Sequence, residues 1–462
     1  MAMSTFEVQR AGFYRYVALA LITLILTLST GDRATLSVAG PSMSKDLDLD
    51  PIAMGWLFSS FAWAYVIGHI PAGWVVDKFG VKYSMLGGLI IWSVATALQG
   101  SVGWFSSAFT ATLALRFILG IFEAPIGPGS GRVLAAWFPS TERGVAGSIF
   151  NSAQYISLVI FTPLMGWLDH QFGWEHIFWV MGGFGLIMAI LWIVFFSLPA
   201  QHASVSSAEL AYIENGGGLT DLNLPNDVKA NISRTDALPT GYAISQIFKS
   251  RMLVGIFIAQ YGINSITWFF VSWFPSYLVK GLGFSILQAG FVAALPAVCG
   301  FIGGVSSGFV SDGLLRKTGN LSLARKLPIT IGLLMSALMI GCNYTKSEYL
   351  VIGLMCAAFF GKGFGSLGWT VCADTAPKQA IGLTGGVFNA IGNSAGIVTP
   401  LVIGYILART GSFEGALLFV GLHGLIAVFS YWVIVGKLQR IEIAPPASAH
   451  PSISTIGREV RS

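Results

Sequence analysis

Residues 139–151 read PSTERGVAGSIFN, and residues 377–389 read PKQAIGLTGGVFN. Pro139, Gly144, Gly147, Phe150 and Asn151 thus return as Pro377, Gly382, Gly385, Phe388 and Asn389, each pair offset by 238 positions. A second match, Gly73-x-x-x-Asp77 with Gly308-x-x-x-Asp312, has an offset of 235. Glycine-rich helices give single coincidences readily. Several matches at nearly one offset instead mark a chain built from two similar halves. Parallel repeats related by an axis along the membrane normal are one architecture of secondary transporters.

The sequence around each copy is apolar in long runs. Six lie near 14–38, 52–76, 83–101, 106–131, 144–168 and 174–198. Six more lie near 252–279, 285–311, 327–344, 348–374, 382–408 and 412–436. About 20 apolar residues cross a hydrocarbon core of ~30 Å, so each run suits one transmembrane helix. The expected fold is an all-α membrane protein of 12 transmembrane helices in two six-helix pseudo-repeat bundles. Residues 1–198 form the first bundle and 251–440 the second. The polar stretch 199–250 reads as a linker with one short helix, opened by a capping box at Ser206 and Glu209 and closed at Asn215-Gly216-Gly217. Residues 441–462, with Pro and Ser among them, read as a disordered tail. The first run is too long for the core of a cleavable signal peptide and lacks its A-x-A exit, so it reads as the first span.

Composition agrees with this map. Hydrophobic residues make up 54% of the 462 positions and charged residues only 10%, against roughly 25% charged in soluble domains. The net charge of +5 would suit an anionic partner such as nucleic acid only if the basic residues formed a patch. They follow the membrane instead. Of 26 Lys and Arg, 19 fall on the side of the termini and linker. Lys45, Lys280, Lys346 and Arg409 fall on the other, and three lie inside spans. This asymmetry predicts cytoplasmic termini and linker, and no nucleic-acid partner. Cys299, Cys342, Cys356 and Cys372 have neither C-x-x-C spacing nor neighbouring histidines, so packing is expected of them, with no metal and no cofactor.

Five charges sit well inside spans: Asp32, Arg33, Arg116, Glu123 and Lys362. Each costs about 2.5–3.5 kcal/mol at mid-helix if unpaired. Ion pairs that merely lock helices are one explanation, but three cations and two acids cannot all pair off. A surplus cation is what an anionic substrate needs. Arg116 and Glu123 are seven apart, on one helix face. Asp32 and Arg33 diverge by about 100°, so Arg33 is expected to face a cavity as an anion ligand and Asp32 a neighbouring helix. Asp32 and Glu123 are candidate proton carriers, and Lys362 belongs to the opposite wall. Tyr65, Gln154, Asn264, Trp268, Trp369, Asn389 and Asn393 fall near mid-span and suit a hydroxylated ligand, with amides for hydroxyls and aromatic faces for walls. Interhelical hydrogen bonds and lipid-facing packing are the alternatives for these residues. His69, four residues after Tyr65, shares its helix face. His423 reads as packing.

Residues 73–82, GWVVDKFGVK, resemble the loop signature of the major facilitator superfamily between its second and third spans. Residues 31–37 (GDRATLS), together with Arg116 and the run 120–125 (GIFEAP), resemble the anion:cation symporter family within it. Further stretches, 149–155 (IFNSAQY), 296–301 (PAVCGF), 360–363 (FGKG) and 373–378 (ADTAPK), are similar to the bacterial glucarate/galactarate permeases, over about 14–443. The resemblance implies that Gly73, Asp77, Gly80 and Lys82 serve a conformational gate. Here Lys78 and Val81 replace frequent arginines. It implies that Arg33 binds a substrate carboxylate, that Asp32 and Glu123 are proton sites and that Arg116 communicates between them. It also implies that Tyr65, Gln154, Gln260, Trp369 and Asn389 contact the polyol. Thr30 stands where relatives often carry Tyr.

The sequence therefore predicts a proton-coupled symporter of a small carboxylate, importing D-glucarate or galactarate across the bacterial inner membrane by alternating access. Membrane lipid surrounds it, and one bundle pair suffices, so a monomer is expected. Another organic anion (hexonate, hexuronate or aromatic carboxylate) is the alternative within transporters. A polytopic enzyme would need a nucleophile or metal constellation that the spacing does not offer, and a receptor would need a larger soluble portion.

Overall fold

The computed structural model describes residues 12–220, 240–377 and 380–443. Residues 221–239 of the linker and all but the first residues of the C-terminal tail lie outside that range. Among the described residues, twelve stretches are long and apolar enough to cross a bilayer. The chain is a multi-pass, all-helical membrane protein.

The first half comprises α1 (Tyr14–Asp46), α2 (Pro51–Gln99), α3 (Ala108–Glu123), α4 (Ile126–Trp137), α5 (Arg143–Phe172) and α6 (Trp174–Phe195). Tract α2 supplies two crossings. It breaks at Gly80, whose φ of 76° and ψ of 159° no other residue type adopts cheaply. Two short helices follow, α7 (Ser207–Asn215) and α8 (Thr240–Lys249). The first starts at Ser206, whose hydroxyl accepts from Glu209 N, but the reciprocal half of the expected box is missing because the Glu209 carboxylate turns to Arg15. The second was not expected. The second half holds α9 (Arg251–Ser272), α10 (Ile286–Thr318), α11 (Leu321–Ala337), α12 (Glu348–Phe364), α13 (Leu367–Thr375), α14 (Ile381–Thr410) and α15 (Glu414–Phe429). Side-chain caps close several ends near the expected membrane faces. Asp50 accepts from Ala53 N at 2.6 Å, Ser285 and Gln288 form a reciprocal capping box, and Gly319 and Gly411 end α10 and α14 in the left-handed conformation.

The halves meet along two seams, α5 against α10 and α2 against α14. Both seams are tightest on the face away from the termini. A Cβ at Gly166 would lie 2.9 Å from the Gly290 Cα, and one at Gly404 would lie 2.5 Å from the Pro51 carbonyl oxygen. At the opposite ends of the same helices, a Cβ at Gly73, Gly144, Gly147, Gly308, Gly382 or Gly386 would meet no atom of the described residues within 4 Å beyond its own stretch of helix. The halves are thus shut on one face and parted on the face that carries the termini and linker. The opening motif and its repeat begin α5 and α14 at the parted end.

The linker is tied to the first half. Arg15 donates through Nε to Glu142 Oε2 at 3.2 Å and through its backbone N to Glu209 Oε1 at 3.2 Å, and its guanidinium lies over the rings of Tyr16 and Tyr212. Tyr212 donates to Glu142 at 2.6 Å. That bond pushes the exposed Tyr212 phenol above its ordinary pKa.

Candidate functional site

Four of the five intramembrane charges meet in the first half. Ser29 and Arg33 are four apart on α1 and so share a face. Both reach Glu123 Oε1, Ser29 Oγ at 2.7 Å, Arg33 Nε at 2.7 Å and a terminal Arg33 nitrogen at 2.5 Å. Glu123 is fully buried, and its Oε2 has no partner among the described residues. Arg33 lies over the rings of Phe61 and Tyr65, 5.0 and 4.7 Å from their centroids. Asp32 points away from this pair, as a neighbour on a helix must, and accepts from Trp92 Nε1 at 2.6 Å. It too is fully buried, with Oδ1 unpartnered. Arg116 is 2% exposed and donates through Nε to the Leu57 carbonyl at 2.9 Å. Two acids and two cations therefore balance within one bundle.

The facing wall is amide and aromatic. Trp268 of α9 approaches Phe61 of α2, with ring centroids 6.4 Å apart, and so joins the two halves beside Arg33. Two turns back, Gln260 donates to Asn264 Oδ1 at 3.3 Å, while Gln260 Oε1 is buried without a partner among the described residues. Asn393 donates to Asn389 Oδ1 at 2.8 Å along α14. Trp369 is exposed and packs edge-on to Phe388. Gln154 is exposed on α5. His69 turns Nδ1 to the Tyr65 carbonyl at 3.1 Å, a local helix bond that leaves Nε2 towards Gly127.

Lys362 occupies a position related to that of Glu123. The two are 239 residues apart, nearly the repeat offset. Each stands at the end of a helix segment that breaks next, at Ala124–Pro125 and at Gly365–Ser366. Where one half holds an acid, the other holds a base. Lys362 has no ion-pair partner among the described residues. Its ammonium lies 5.2 Å from the Phe359 centroid and 5.7 Å from that of Tyr155, which belongs to the other half.

At the parted face, Asp77 pairs with Arg132 of α4, while Lys82 donates to Ser197 at 3.2 Å. In the second half Arg325 bridges Asp312 and Asp374, each at 3.1 Å. Several partners escaped the sequence reading: Trp92, Ser29, Phe61, Tyr155, Arg132 and Arg325. Ser29 and Phe61 were visible as residues four before Arg33 and Tyr65. Trp92 and Arg132 had no such signal, because contacts between helices depend on rotations that one helix does not specify. Among the described residues no group of His, Cys, Asp or Glu is arranged to hold a metal ion.

The model of the Major Facilitator Superfamily matches residues 22–324. The chain belongs to the Major Facilitator Superfamily. It is a transporter of that superfamily and not an enzyme. The chain is 51% identical over 450 residues to the probable galactarate/D-glucarate transporter GudP of Escherichia coli (strain K12), covering 97% of this chain and 99% of that one. Its identity to the probable galactarate/D-glucarate transporter GudP of Bacillus subtilis (strain 168) is also 51%, over 92% of this chain and 93% of the relative. Among solved structures, a bacterial homolog of the human lysosomal transporter Spinster, in an inward-facing and unoccupied conformation, superposes with a TM-score of 0.70 at 17% identity. That match covers 92% of this chain and 98% of the other. At this identity the likeness speaks for the superfamily fold alone.

Proposed function

We propose that this transporter imports a six-carbon sugar diacid, glucarate or galactarate, together with protons across a bacterial inner membrane, its termini and linker cytoplasmic. The names of the 51%-identical relatives support the substrate class. The observation that carries the mechanism is the unequal charge pairing. Arg33 is held by Glu123 at 2.5 Å, while Lys362 has no acid within ion-pair distance among the described residues. One carboxylate of the diacid pairs with Lys362. The second carboxylate competes with Glu123 for Arg33, and protonation of Glu123 decides that competition. Proton uptake and substrate binding thus favour one another at a single guanidinium. Asp32, buried and bonded to Trp92, is the second proton site, and Arg116, two turns before Glu123 on α3, communicates between the two acids.

Tyr65, Gln154, Gln260, Asn264, Trp268, Trp369, Asn389 and Asn393 offer hydroxyl partners and ring faces for the polyol chain. The bundles 1–198 and 251–440 rock about this site. Gly73, Asp77, Gly80 and Lys82 close the cytoplasmic face in the opposite state. No cofactor is required, one chain suffices, and membrane lipid surrounds it. A dianion moving inward against an inside-negative potential costs about 2.3 kcal/mol per charge per 100 mV. Two protons, one for each intramembrane acid, make the cycle electroneutral.

The test is uptake by purified protein in liposomes, with mono- and dicarboxylic sugar acids under an imposed pH gradient. Glucarate or galactarate should accumulate, and a protonophore should abolish accumulation. Accumulation that ignores the proton gradient would overturn the coupling, and net negative current with substrate would overturn the two-proton count.

A further inference from the structure

On the closed face, the seam between the halves opens into a vestibule of about 560 Å³, within the size range of small-molecule sites. Gly40, Ser44, Pro51 and Met54 of the first half line one side, and residues of the second half line the rest. Lys280, in the turn after α9, donates to the Ser44 hydroxyl at 2.9 Å, so a hydrogen bond spans the halves at the vestibule wall. No acid pairs with Lys280 among the described residues. The residue is exposed, yet packing around its ammonium holds its pKa below the ordinary lysine value. Lys346 adds a second cation, and Asn343 and Thr345 add an amide and a hydroxyl. Glu348 and Glu414 also line the space but are exposed, and neither forms a salt bridge with either lysine. Beneath the vestibule the seam is shut: Ser37 Oγ donates to the Ser272 carbonyl at 2.7 Å, again across the halves.

An ammonium whose only hydrogen-bond acceptor among the described residues is a neutral hydroxyl can gain from a charged one. A carboxylate is a stronger acceptor, because charge-assisted bonds are roughly twice as strong as neutral ones. We propose that the vestibule is a capture site for sugar carboxylates, in which the substrate carboxylate replaces Ser44 as the acceptor of Lys280. Occupation removes one of the bonds that hold this face shut. Substrate arriving there therefore favours the opening that admits it to the central site, as linkage requires of a ligand that competes with a closing contact. The hydroxyls and amide around the cations match the polyol part of the same molecule.

The inference rests on the sugar-acid reading above. Its test is calorimetric titration of D-glucarate into purified full-length protein in nanodiscs, in a Lys362→Gln background that weakens the central site. Binding should persist there. Adding Lys280→Gln should weaken it by about tenfold, the effect of one lost bond to a charged group, and Lys280→Arg should restore most of it. Ser44→Ala should leave this binding unchanged or tighter, because the competing acceptor is gone. Lys280→Gln without effect, or Ser44→Ala weakening binding as much as Lys280→Gln does, would overturn the proposal, the latter because it marks the pair as structural only. Uptake by the parent protein is measured alongside. Uptake without Lys280-dependent binding defeats the vestibule alone. Lys280-dependent binding without uptake of any sugar acid defeats the transport reading and leaves the vestibule standing.

Discussion

Arg33 and Glu123 share a single oxygen: two guanidinium nitrogens and the Ser29 hydroxyl converge on Oε1, while Oε2 is buried with no partner among the described residues. The pair is therefore lopsided, with one oxygen over-supplied with donors and the other left for a proton. It also lies beside Trp268 of the opposite half, through Phe61, where a change in Arg33 is felt by both bundles.

Glu123→Gln keeps the shape and removes the charge that holds Arg33. With Arg33 released, substrate binding and exchange of labelled for unlabelled substrate should persist or strengthen. Uphill uptake driven by a pH gradient should fall at least about tenfold, since a bond to a charged group is worth roughly 1.5–3 kcal/mol. Counterflow and gradient-driven uptake in the same liposomes separate the two. Equal loss in both assays would mean that Glu123 only holds the bundle together.

The glycine seams predict a conformational bias. A methyl at Gly404 meets the Pro51 carbonyl and a methyl at Gly166 meets the Gly290 backbone, whereas one at Gly147 meets no atom of the described residues beyond its own stretch of helix. Overpacking of this kind costs about 1–3 kcal/mol. Gly404→Ala and Gly166→Ala should therefore shift the population away from the state closed on the vestibule face. Gly147→Ala should be neutral in this state. Spin-label distances across the vestibule face check it, and unchanged distances in both seam variants would refute it.

The repeat in residues 139–151 and 377–389 made the two-bundle plan readable, because glycines at the ends of α5 and α14 serve helices that must approach and part. The intramembrane charges were readable for a different reason: lipid makes each one costly, so their presence needs no partner to be noticed. Their pairing was less readable. Asp32 turns to Trp92, sixty positions away, and Asp77 turns to Arg132 rather than to a basic residue of its own loop. Both choices depend on how α1, α2 and α4 are rotated in the bundle. Helix α8 carries a local signal: Ala243 and Ile247, four apart, are its buried positions. The Gly80 break inside one long tract shows the converse, a glycine whose sequence context marked the loop but not how little chain the turn would use.

Arg15 fastens the linker to the first bundle through Glu142, Glu209 and Tyr212. Glu209 is fully buried, so Arg15→Ala leaves a buried carboxylate without its cation. Breaking such a pair costs about 3–5 kcal/mol. The expected result is faster protease cleavage near α7 and a lower melting temperature. Adding Glu209→Gln should recover part of the loss, because the stranded charge is then gone. A double variant no more stable than the single one would show that the guanidinium acts here through packing on Tyr16 and Tyr212 instead.

Lys362 supplies the sharpest test of substrate choice. It stands where the first half has Glu123, but its neighbours are the rings of Phe359 and Tyr155 rather than an acid. An ammonium and a carboxylate 4 Å apart at an effective dielectric of 20 attract by about 4 kcal/mol, part of which is offset by desolvation of both groups. If Lys362 holds one end of a diacid and Arg33 the other, Lys362→Gln removes one anchor from glucarate. A monoacid such as galactonate keeps its only carboxylate on Arg33. The variant should then raise the half-saturating glucarate concentration by about tenfold or more, one lost bond to a charged group, and change that for galactonate by far less. Lys362→Arg should retain much of the preference for the diacid. Loss of both substrates to the same degree would place Lys362 among the packing residues of the broken helix, with its charge directed to the rings of Phe359 and Tyr155.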